Sequence, residues 1–283
     1  MYVLKLLSRL PLSVLYLLSD GLYLFIYHVW RFRRDLTLAN LRASFPGKPA
    51  AELEPVARGS YRNACNLMAE VLKSAAIDRE ELRGRIQMTN VDSVKRCLAS
   101  GQSVVLLASH HCNWEWLLLA GCFQFKTGID AVYKPLRVKA MDRFMLATRS
   151  RFGGHPVAVK NILREVLKRR GAPRIYALIV DQTPPQAAAK YWTHFLGQDT
   201  AFFIGADRIA RITQSPVFFV SMRRLRRGYY EASFEPLAQP PYAGENANVI
   251  ERYARMAEAH IARYPADWLW MYRKWKYKKL PGA

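Results

Sequence analysis

Two short segments of the chain are apolar at every position, and this pattern constrains the fold more than any other feature. They read VVLLA (104–108) and YALIV (176–180). A strand with two apolar faces must be covered on both sides, as happens in sheets that are flanked by helices. Other short β-rich segments alternate with helical stretches along the chain. We therefore predict an α/β fold in which helices flank a mixed, largely parallel central sheet.

The predicted elements follow from hydrophobic periodicity and from turn-forming residues. The strands are 103–109, 129–133, 155–159, 174–180, 215–221 and 229–237. The helices are 36–76, interrupted by the turn at 46–49, then 114–125, 139–152, 162–169, 203–213 and about 246–263.

The segment from Leu10 to Trp30 is long enough to cross the roughly 30 Å hydrocarbon core of a bilayer. It contains one acid, Asp20, and basic residues precede and follow it. Bulky aromatic residues run to its end, which disfavours a cleaved signal peptide. A transmembrane span, a helix embedded in one leaflet and a buried core helix remain open, and we expect membrane attachment. This divides the chain into a membrane-anchoring helix (1–34) and one α/β domain (35–283).

The composition is strongly basic and carries no disulfide pattern. Lys and Arg number 43 against 22 Asp and Glu, which gives a formal net charge of +21. Such an excess attracts phosphate groups on lipids or nucleic acids, or acidic proteins. The four cysteines show no CxxC pair, so we expect free thiols and no metal site.

The segment WLWMYRKWKYKK (268–279) interleaves aromatic and cationic residues. This pattern suits stacking on nucleic-acid bases or contact with a membrane interface. With an apolar N-terminal segment in the same chain, we favour the membrane and expect no nucleic-acid partner. A non-enzymatic basic protein that binds membranes or nucleic acid is an alternative that explains the charge, but it leaves the next motif unexplained.

A polar cluster, SHHCNWE (109–115), lies between the first apolar strand and the helix that follows it. Ligands in α/β folds bind at the carboxyl ends of strands. If Asn113 caps the helix, Glu115 lies in its first turn, and its carboxylate can reach back to His110. A histidine held by a carboxylate is a general base. The alternatives are a metal site that uses His111, and a Glu115 that merely stabilises the helix N-terminus.

Further polar residues follow the next two predicted strands. Asp181 and Gln182 end the second apolar segment, where they form either part of a site or an ordinary turn. A basic group after the strand at 129–133 forms either a solvated face or a binding surface for phosphates or an acidic carrier protein. Its members are Lys134, Arg137, Lys139, Arg149 and Arg151.

The motif His110-x4-Glu115 matches the HX4D/E motif of glycerolipid acyltransferases. The longer string HHCNWE resembles the H-x-x-N-W-E form of the lipid A late acyltransferases, the lauroyl and myristoyl transferases of Gram-negative bacteria. The resemblance covers nearly the whole chain, and it extends to the segments LRASFPGK, VYKPLRVKAMDRFM, VDQTP and YPADWLWMYRKWK. One departure is Ser109-His110-His111-Cys112, where the family often has a Gly-His-aromatic-Gly run, and it affects how closely a substrate approaches the backbone.

The resemblance implies an acyl thioester donor, usually acyl carrier protein, and no separate cofactor. It implies an anionic acceptor, a hydroxyl on a phosphorylated glucosamine lipid, and a location on the cytoplasmic face of the bacterial inner membrane. His110 would be the base and Glu115 its orienting partner. Substrate or oxyanion contacts are expected from Asn113, Lys134, Arg137, Arg149, Arg151, Asp181 and Gln182. A coenzyme A donor, or another acceptor such as a lysophospholipid, an amino-acid lipid or an aryl polyene-type lipid, remains open.

Overall fold

The structure, a computed structural model, describes residues 2–169, 171–243 and 248–279. The first part of the chain is helical. Its helices are α1 (Tyr2–Ser8), α2 (Leu12–Leu24), which continues into a π-helical segment (Phe25–Trp30), α3 (Arg34–Ser44), α4 (Ala50–Lys73) and α5 (Arg79–Arg85).

Strands and helices alternate through most of the remaining chain. In order they are β1 (Ile86–Thr89), α6 (Asp92–Ala99), β2 (Val104–Ala108), α7 (Trp114–Phe125), β3 (Ile129–Tyr133), α8 (Lys139–Arg149), β4 (Gly154–Ala158), a 3-10 turn (Val159–Asn161), α9 (Ile162–Lys168), β5 (Ile175–Ile179), β6 (Lys190–Phe195), β7 (Gln198–Phe203), α10 (Gly205–Thr213), β8 (Val217–Arg226), β9 (Tyr229–Ala238), α11 (Val249–Arg263) and a 3-10 turn (Pro265–Asp267).

Seven of these strands form one sheet in the order β1-β9-β8-β2-β5-β3-β4. Every neighbouring pair is parallel except β8 and β9, which form an antiparallel hairpin. β6 and β7 form a separate two-stranded hairpin. The predicted fold, a largely parallel mixed sheet flanked by helices, is confirmed.

Alternating residues of β2 explain why its sequence is apolar throughout. Val105 and Leu107 lie in one buried cluster with residues of α10 and α11. Val104 and Leu106 lie in a second buried cluster on the other face, with residues of α7. Both faces of the strand are therefore covered, as a central parallel strand requires.

All six predicted strands are present, and their starts agree with the structure within two residues. The strand prediction missed β1, a four-residue edge strand, and the hairpin of β6 and β7, whose partly exposed residues mix polar with aromatic side chains. The last predicted helix begins at Val249, and the expected start at 246 lies outside the described residues.

The apolar N-terminal segment forms a continuous helical stretch from Leu12 to Trp30. By length and composition alone it is sufficient to cross a membrane, although core helices and signal sequences meet the same criteria. Its buried residues on α2, Leu12, Leu15, Ser19 and Tyr23, face the protein. The division into residues 1–34 and 35–283 remains a prediction.

Candidate active site

His110 and Asp181 are brought together by the order of strands in the sheet. β2 and β5 are parallel neighbours, and Ala108 lies opposite Ile179 at their carboxyl ends. His110 follows the first strand by two residues, and Asp181 follows the second by two residues. The two loops therefore leave the sheet side by side, at the edge where α/β proteins bind ligands.

The Asp181 carboxylate contacts both the ring and the backbone of His110. Nδ1 of His110 lies 2.5 Å from Oδ1 of Asp181, and the backbone N–H of His110 donates to Oδ2 at 2.8 Å. The indole N–H of Trp268 donates to the same Oδ2 at 2.7 Å. The Asp181 side chain is only 2% exposed. Burial alone raises the pKa of this carboxyl group, but the His110 ring, the His110 backbone N–H and the Trp268 indole outweigh it and hold the pKa below its usual range.

This arrangement sets the tautomer of the imidazole. A carboxylate only accepts hydrogen bonds, so the Nδ1 proton of His110 points at Asp181 and the lone pair of the neutral ring is on Nε2. The amide nitrogen of Gln182 lies 2.9 Å from that Nε2 and donates to it. His110 thus has the tautomer that a general base needs.

Glu115 does not orient His110, contrary to the prediction from the sequence. Its two carboxylate oxygens accept from Nε and Nη2 of Arg149 at 2.8 and 2.5 Å, and Oε1 also accepts from the Trp114 indole at 3.1 Å. The physical reason is that the first turn of α7 faces the end of α8, where a guanidinium is the stronger partner. The Trp114 ring, whose indole N–H donates to Glu115, meets the imidazole of His110 edge-on with centroids 4.7 Å apart.

Asn113 caps α7, as expected, because its side-chain oxygen accepts from the backbone N–H of Trp116 at 2.8 Å. Its side-chain amide donates to Glu70 at 2.7 Å, and the residue is fully buried. The predicted substrate contact of Asn113 is therefore not met. Asn113 supports the loop, and it does not line the site.

Glu70 is a residue of the site region that the sequence reasoning missed. It lies on α4, fully buried, and accepts hydrogen bonds from the hydroxyl groups of Tyr16 and Tyr230 as well as from Asn113, each at 2.7 Å. Burial raises the pKa of its carboxyl group, although the three donors act against that change. A signal was present, because Glu70 forms part of a polar stripe at four-residue spacing with Asn66 and Ser74 on a largely apolar helix face.

The predicted basic residues are divided by the structure. Arg149 joins Glu115, whereas Arg151 donates to the backbone oxygen of Ser74 at 2.5 Å. Lys134 and Arg137 are exposed on the segment between β3 and α8. Of this group, Arg149 alone has a hydrogen bond to a residue of the SHHCNWE segment within the part of the chain that the structure describes.

Two shallow depressions meet at His110. One lies against α4 and is lined by residues such as Asn63, Leu67 and Trp114. The other is lined by Asp181, Gln182 and Tyr272. Both include His110, Trp268 and Leu269. The imidazole can therefore be approached from two sides.

The residues between His110 and Asn113 are buried beneath the site. Nδ1 of His111 lies 2.8 Å from the hydroxyl of Ser109, and its ring is 4.6 Å from that of His260. Burial and the neighbouring His260 lower the pKa of His111. Among residues 2–169, 171–243 and 248–279, no group of three or more His, Cys, Asp or Glu has an arrangement that could hold a metal ion.

Cys112 has the backbone conformation that glycine favours. Its φ angle is +51°, which lies in the left-handed region. The backbone of the loop therefore has the shape expected for a Gly-His-aromatic-Gly run, although a side chain is present at position 112 and is buried.

The chain matches one known protein family. A family described as bacterial lipid A biosynthesis acyltransferase matches residues 1–277, which is nearly the whole chain. No curated protein matches the chain.

Proposed function

The chain belongs to the bacterial lipid A biosynthesis acyltransferase family, and on this premise we propose that it transfers a fatty acyl chain from a thioester to a hydroxyl of a lipid A precursor. Family membership supports acyl transfer and a lipid A-type acceptor. The observation that carries the choice of residues is the hydrogen bond between His110 and Asp181.

In this proposal His110 is the general base. The acceptor hydroxyl replaces the Gln182 amide at Nε2 and gives its proton to the imidazole as its oxygen attacks the thioester carbonyl. Asp181 fixes the ring and stabilises the imidazolium that forms, because it is buried and ionised. A new C–O bond forms and the C–S bond breaks, and the imidazolium proton passes to the departing thiolate. No covalent acyl-enzyme is needed, since the acceptor itself is the nucleophile.

The tetrahedral intermediate requires positive charge near its oxygen. We assign this role to Arg149, whose guanidinium is fixed by two bonds to Glu115 and is 18% exposed. Glu115 then positions a cation rather than the base. Gln182, once displaced from Nε2, is placed to hold the incoming hydroxyl.

The two depressions support direct transfer between two bound substrates. Both depressions include His110, so a donor bound in one and an acceptor bound in the other would meet at the base. The acyl thioester is a co-substrate, and the proposal invokes no further cofactor.

The donor in this proposal is acyl carrier protein, which is acidic. The net charge of +21 and the exposed Lys134 and Arg137 support its approach through electrostatic steering. The same charge favours a membrane with anionic lipids. We place the enzyme on the cytoplasmic face of the bacterial inner membrane, in agreement with a family that is membrane-associated in bacteria.

The test is a transfer assay with the full-length protein in phospholipid vesicles. Acyl carrier protein and coenzyme A thioesters serve as donors, a lipid A precursor and a lysophospholipid serve as acceptors, and mass spectrometry detects the acylated product. We expect product from the lipid A precursor and the carrier-protein donor. His110→Ala should abolish it, and His194→Ala, an exposed histidine on the β6–β7 hairpin, should leave it unchanged.

Two results would contradict the proposal. Normal turnover by a folded His110→Ala protein would remove the assigned base. Transfer to the lysophospholipid alone would keep the chemistry and overturn the acceptor.

A further inference from the structure

The apolar N-terminal segment lies along α4 over most of its length, in the opposite direction. Four pairs of side chains mark this alignment. They are Tyr16 with Glu70 and Ser19 with Asn66, hydrogen-bonded at 2.7 and 2.9 Å, then Arg62 over the Tyr23 ring at 4.9 Å, and Tyr27 with Glu54, hydrogen-bonded at 2.6 Å. From pair to pair the residue number on the N-terminal segment rises while the residue number on α4 falls, so the two helices are antiparallel neighbours.

The contacts between α4 and the apolar segment determine whether the segment can cross a membrane. If α2 crossed a bilayer, α4 would have to cross with it, because the paired side chains join them from end to end. The exposed Arg58 and Arg62 of α4 would then enter the hydrocarbon core, where charged side chains are costly. A transmembrane orientation is therefore incompatible with this packing.

Asp20, the acid near the middle of the apolar segment, is tied to the protein. Its carboxylate accepts from Nη1 and Nη2 of Arg227 at 2.9 and 2.8 Å, in the turn between β8 and β9. Arg227 also donates to Asn66 at 2.6 Å and to the backbone oxygen of Tyr16 at 3.0 Å. Asp20, whose charge disfavours a membrane span, therefore lies on the side of α2 that faces polar groups of the protein.

The opposite side of the segment is apolar and exposed. We call it the lipid-facing surface, and its residues are between 40% and 72% exposed. They are Val14, Leu17, Leu18, Leu24, Phe25, Val29 and Trp30. Exposed cations flank it, with Lys5 and Arg9 before it and Arg31 and Arg33 after it. Apolar side chains bordered by cations fit a leaflet with anionic head groups.

We infer that the lipid-facing surface inserts into one leaflet of an anionic membrane, with α2 and the π-helical segment lying parallel to the bilayer plane. The antiparallel docking on α4 carries the orientation, and the flanking cations carry the choice of lipid. This inference concerns how the protein is attached, and it does not depend on the proposed reaction.

The depth of two positions distinguishes this arrangement from a span. Leu17 and Val29 are both about 70% exposed on the lipid-facing surface, and they are separated by 12 residues, or roughly 18 Å of helix. Each is changed singly to Cys and labelled with a fluorophore in a Cys97→Ser background, since Cys65, Cys112 and Cys122 are buried. Depth-dependent quenching by spin-labelled lipids is then measured in vesicles of phosphatidylglycerol and phosphatidylethanolamine. We expect the two labels at nearly equal depth in one leaflet.

A depth difference of roughly 18 Å would establish a span and overturn the inference. The inference would also be overturned if the protein did not bind vesicles and both labels were shielded from water in the absence of lipid. A second copy of the chain would then cover the surface.

A charge on the lipid-facing surface provides a second test. Leu17→Glu should lower the vesicle-bound fraction of the protein at least tenfold. The matched control, Ile212→Glu, places the same charge on an exposed apolar residue of α10 and should not change binding. Equal binding by the two variants, with unchanged circular dichroism, would contradict the inference. Replacement of phosphatidylglycerol by phosphatidylcholine should weaken binding of the unchanged protein.

Discussion

Nδ1 of His110 lies 2.5 Å from Oδ1 of Asp181, a residue 71 positions farther along the chain. The imidazole comes from the end of β2 and the carboxylate from the end of the neighbouring strand β5. Because this acid holds the ring, the acid of the His-x4-Glu motif is available for another task, and the structure shows it bound to Arg149.

Asp181→Asn should reduce kcat much more than Glu115→Gln does. An asparagine amide in place of the carboxylate no longer fixes the Nδ1 proton or stabilises the imidazolium, and an analogous change in the serine-protease triad costs about 10⁴ in kcat. We expect a loss of roughly 10³ or more for Asp181→Asn. Glu115→Gln leaves the His110–Asp181 bond in place, so its loss should be at least tenfold smaller. Initial rates with saturating donor and acceptor measure both.

The control for this comparison is the folded state of both variants, followed by thermal unfolding. Equal losses of kcat in two folded variants would contradict the prediction that Asp181 matters more to the reaction than Glu115 does.

A double-mutant cycle on Glu115 and Arg149 should show strong coupling. The two side chains are 6% and 18% exposed, and Arg149→Met leaves the carboxylate buried without its cation. We expect the single change to lower the free energy of unfolding by about 3 kcal/mol or more. The double variant Glu115→Gln with Arg149→Met should lose less than the sum of the single changes. Denaturant unfolding monitored by tryptophan fluorescence gives the three values, and additive losses would speak against a structural role for the pair.

Cys112→Gly should be nearly neutral for stability, and Cys112→Val should be destabilising. The φ angle of +51° is free of strain for glycine, and a β-branched residue tolerates it poorly. Loss of the buried thiol offsets part of the gain for glycine. We expect valine to be less stable than glycine by about 1–2 kcal/mol. The midpoints of thermal unfolding rank the variants, and a valine protein as stable as the glycine protein would contradict the prediction.

Lys274→Met should stabilise the protein below pH 7 and have less effect at alkaline pH. Nζ of Lys274 is buried 4.0 Å from the centre of the Phe202 ring and has no hydrogen-bond partner in the described part of the chain. Burial lowers the pKa of this amine from about 10.5 to about 7. Between these values the unfolded chain binds more protons than the folded protein, so the stability of the unchanged protein rises with pH across that window.

The stability difference between the two proteins should therefore be largest below pH 7 and should shrink as the pH approaches 10. The measurement is thermal unfolding across this range, with Lys278→Met, an exposed lysine of the same segment, as the control. A constant difference at all pH values would show that the methionine acts through packing alone.

The central strands could be predicted from the sequence because strands that are buried on both faces have an apolar composition. β2 and β5 are apolar on both faces, and a buried parallel strand has no polar face to alternate. β1 was missed because it is short and lies at the sheet edge, where only one neighbour stabilises it. Local periodicity contains little information about such a strand.

The site was predicted only as far as local spacing allows. His110 and the capping role of Asn113 follow from one strand-loop-helix unit, so both were within reach. The pairing of Asp181 with His110 depends on which strands are neighbours, and a sequence read without relatives does not state strand order. The same limit misassigned Glu115, since its true partner, Arg149, comes from a different helix.

Glu70 joins two parts of the molecule that lie far apart in the chain. One of its oxygens accepts from Tyr16 of α2, and the other accepts from Asn113, which caps the helix behind His110. A detergent that strips α2 from α4 therefore removes one support from that cap while the seven-stranded sheet is still intact. The protein can in this way lose its activity before the sheet unfolds. A measurement of the β-sheet content alone would not reveal this loss of activity.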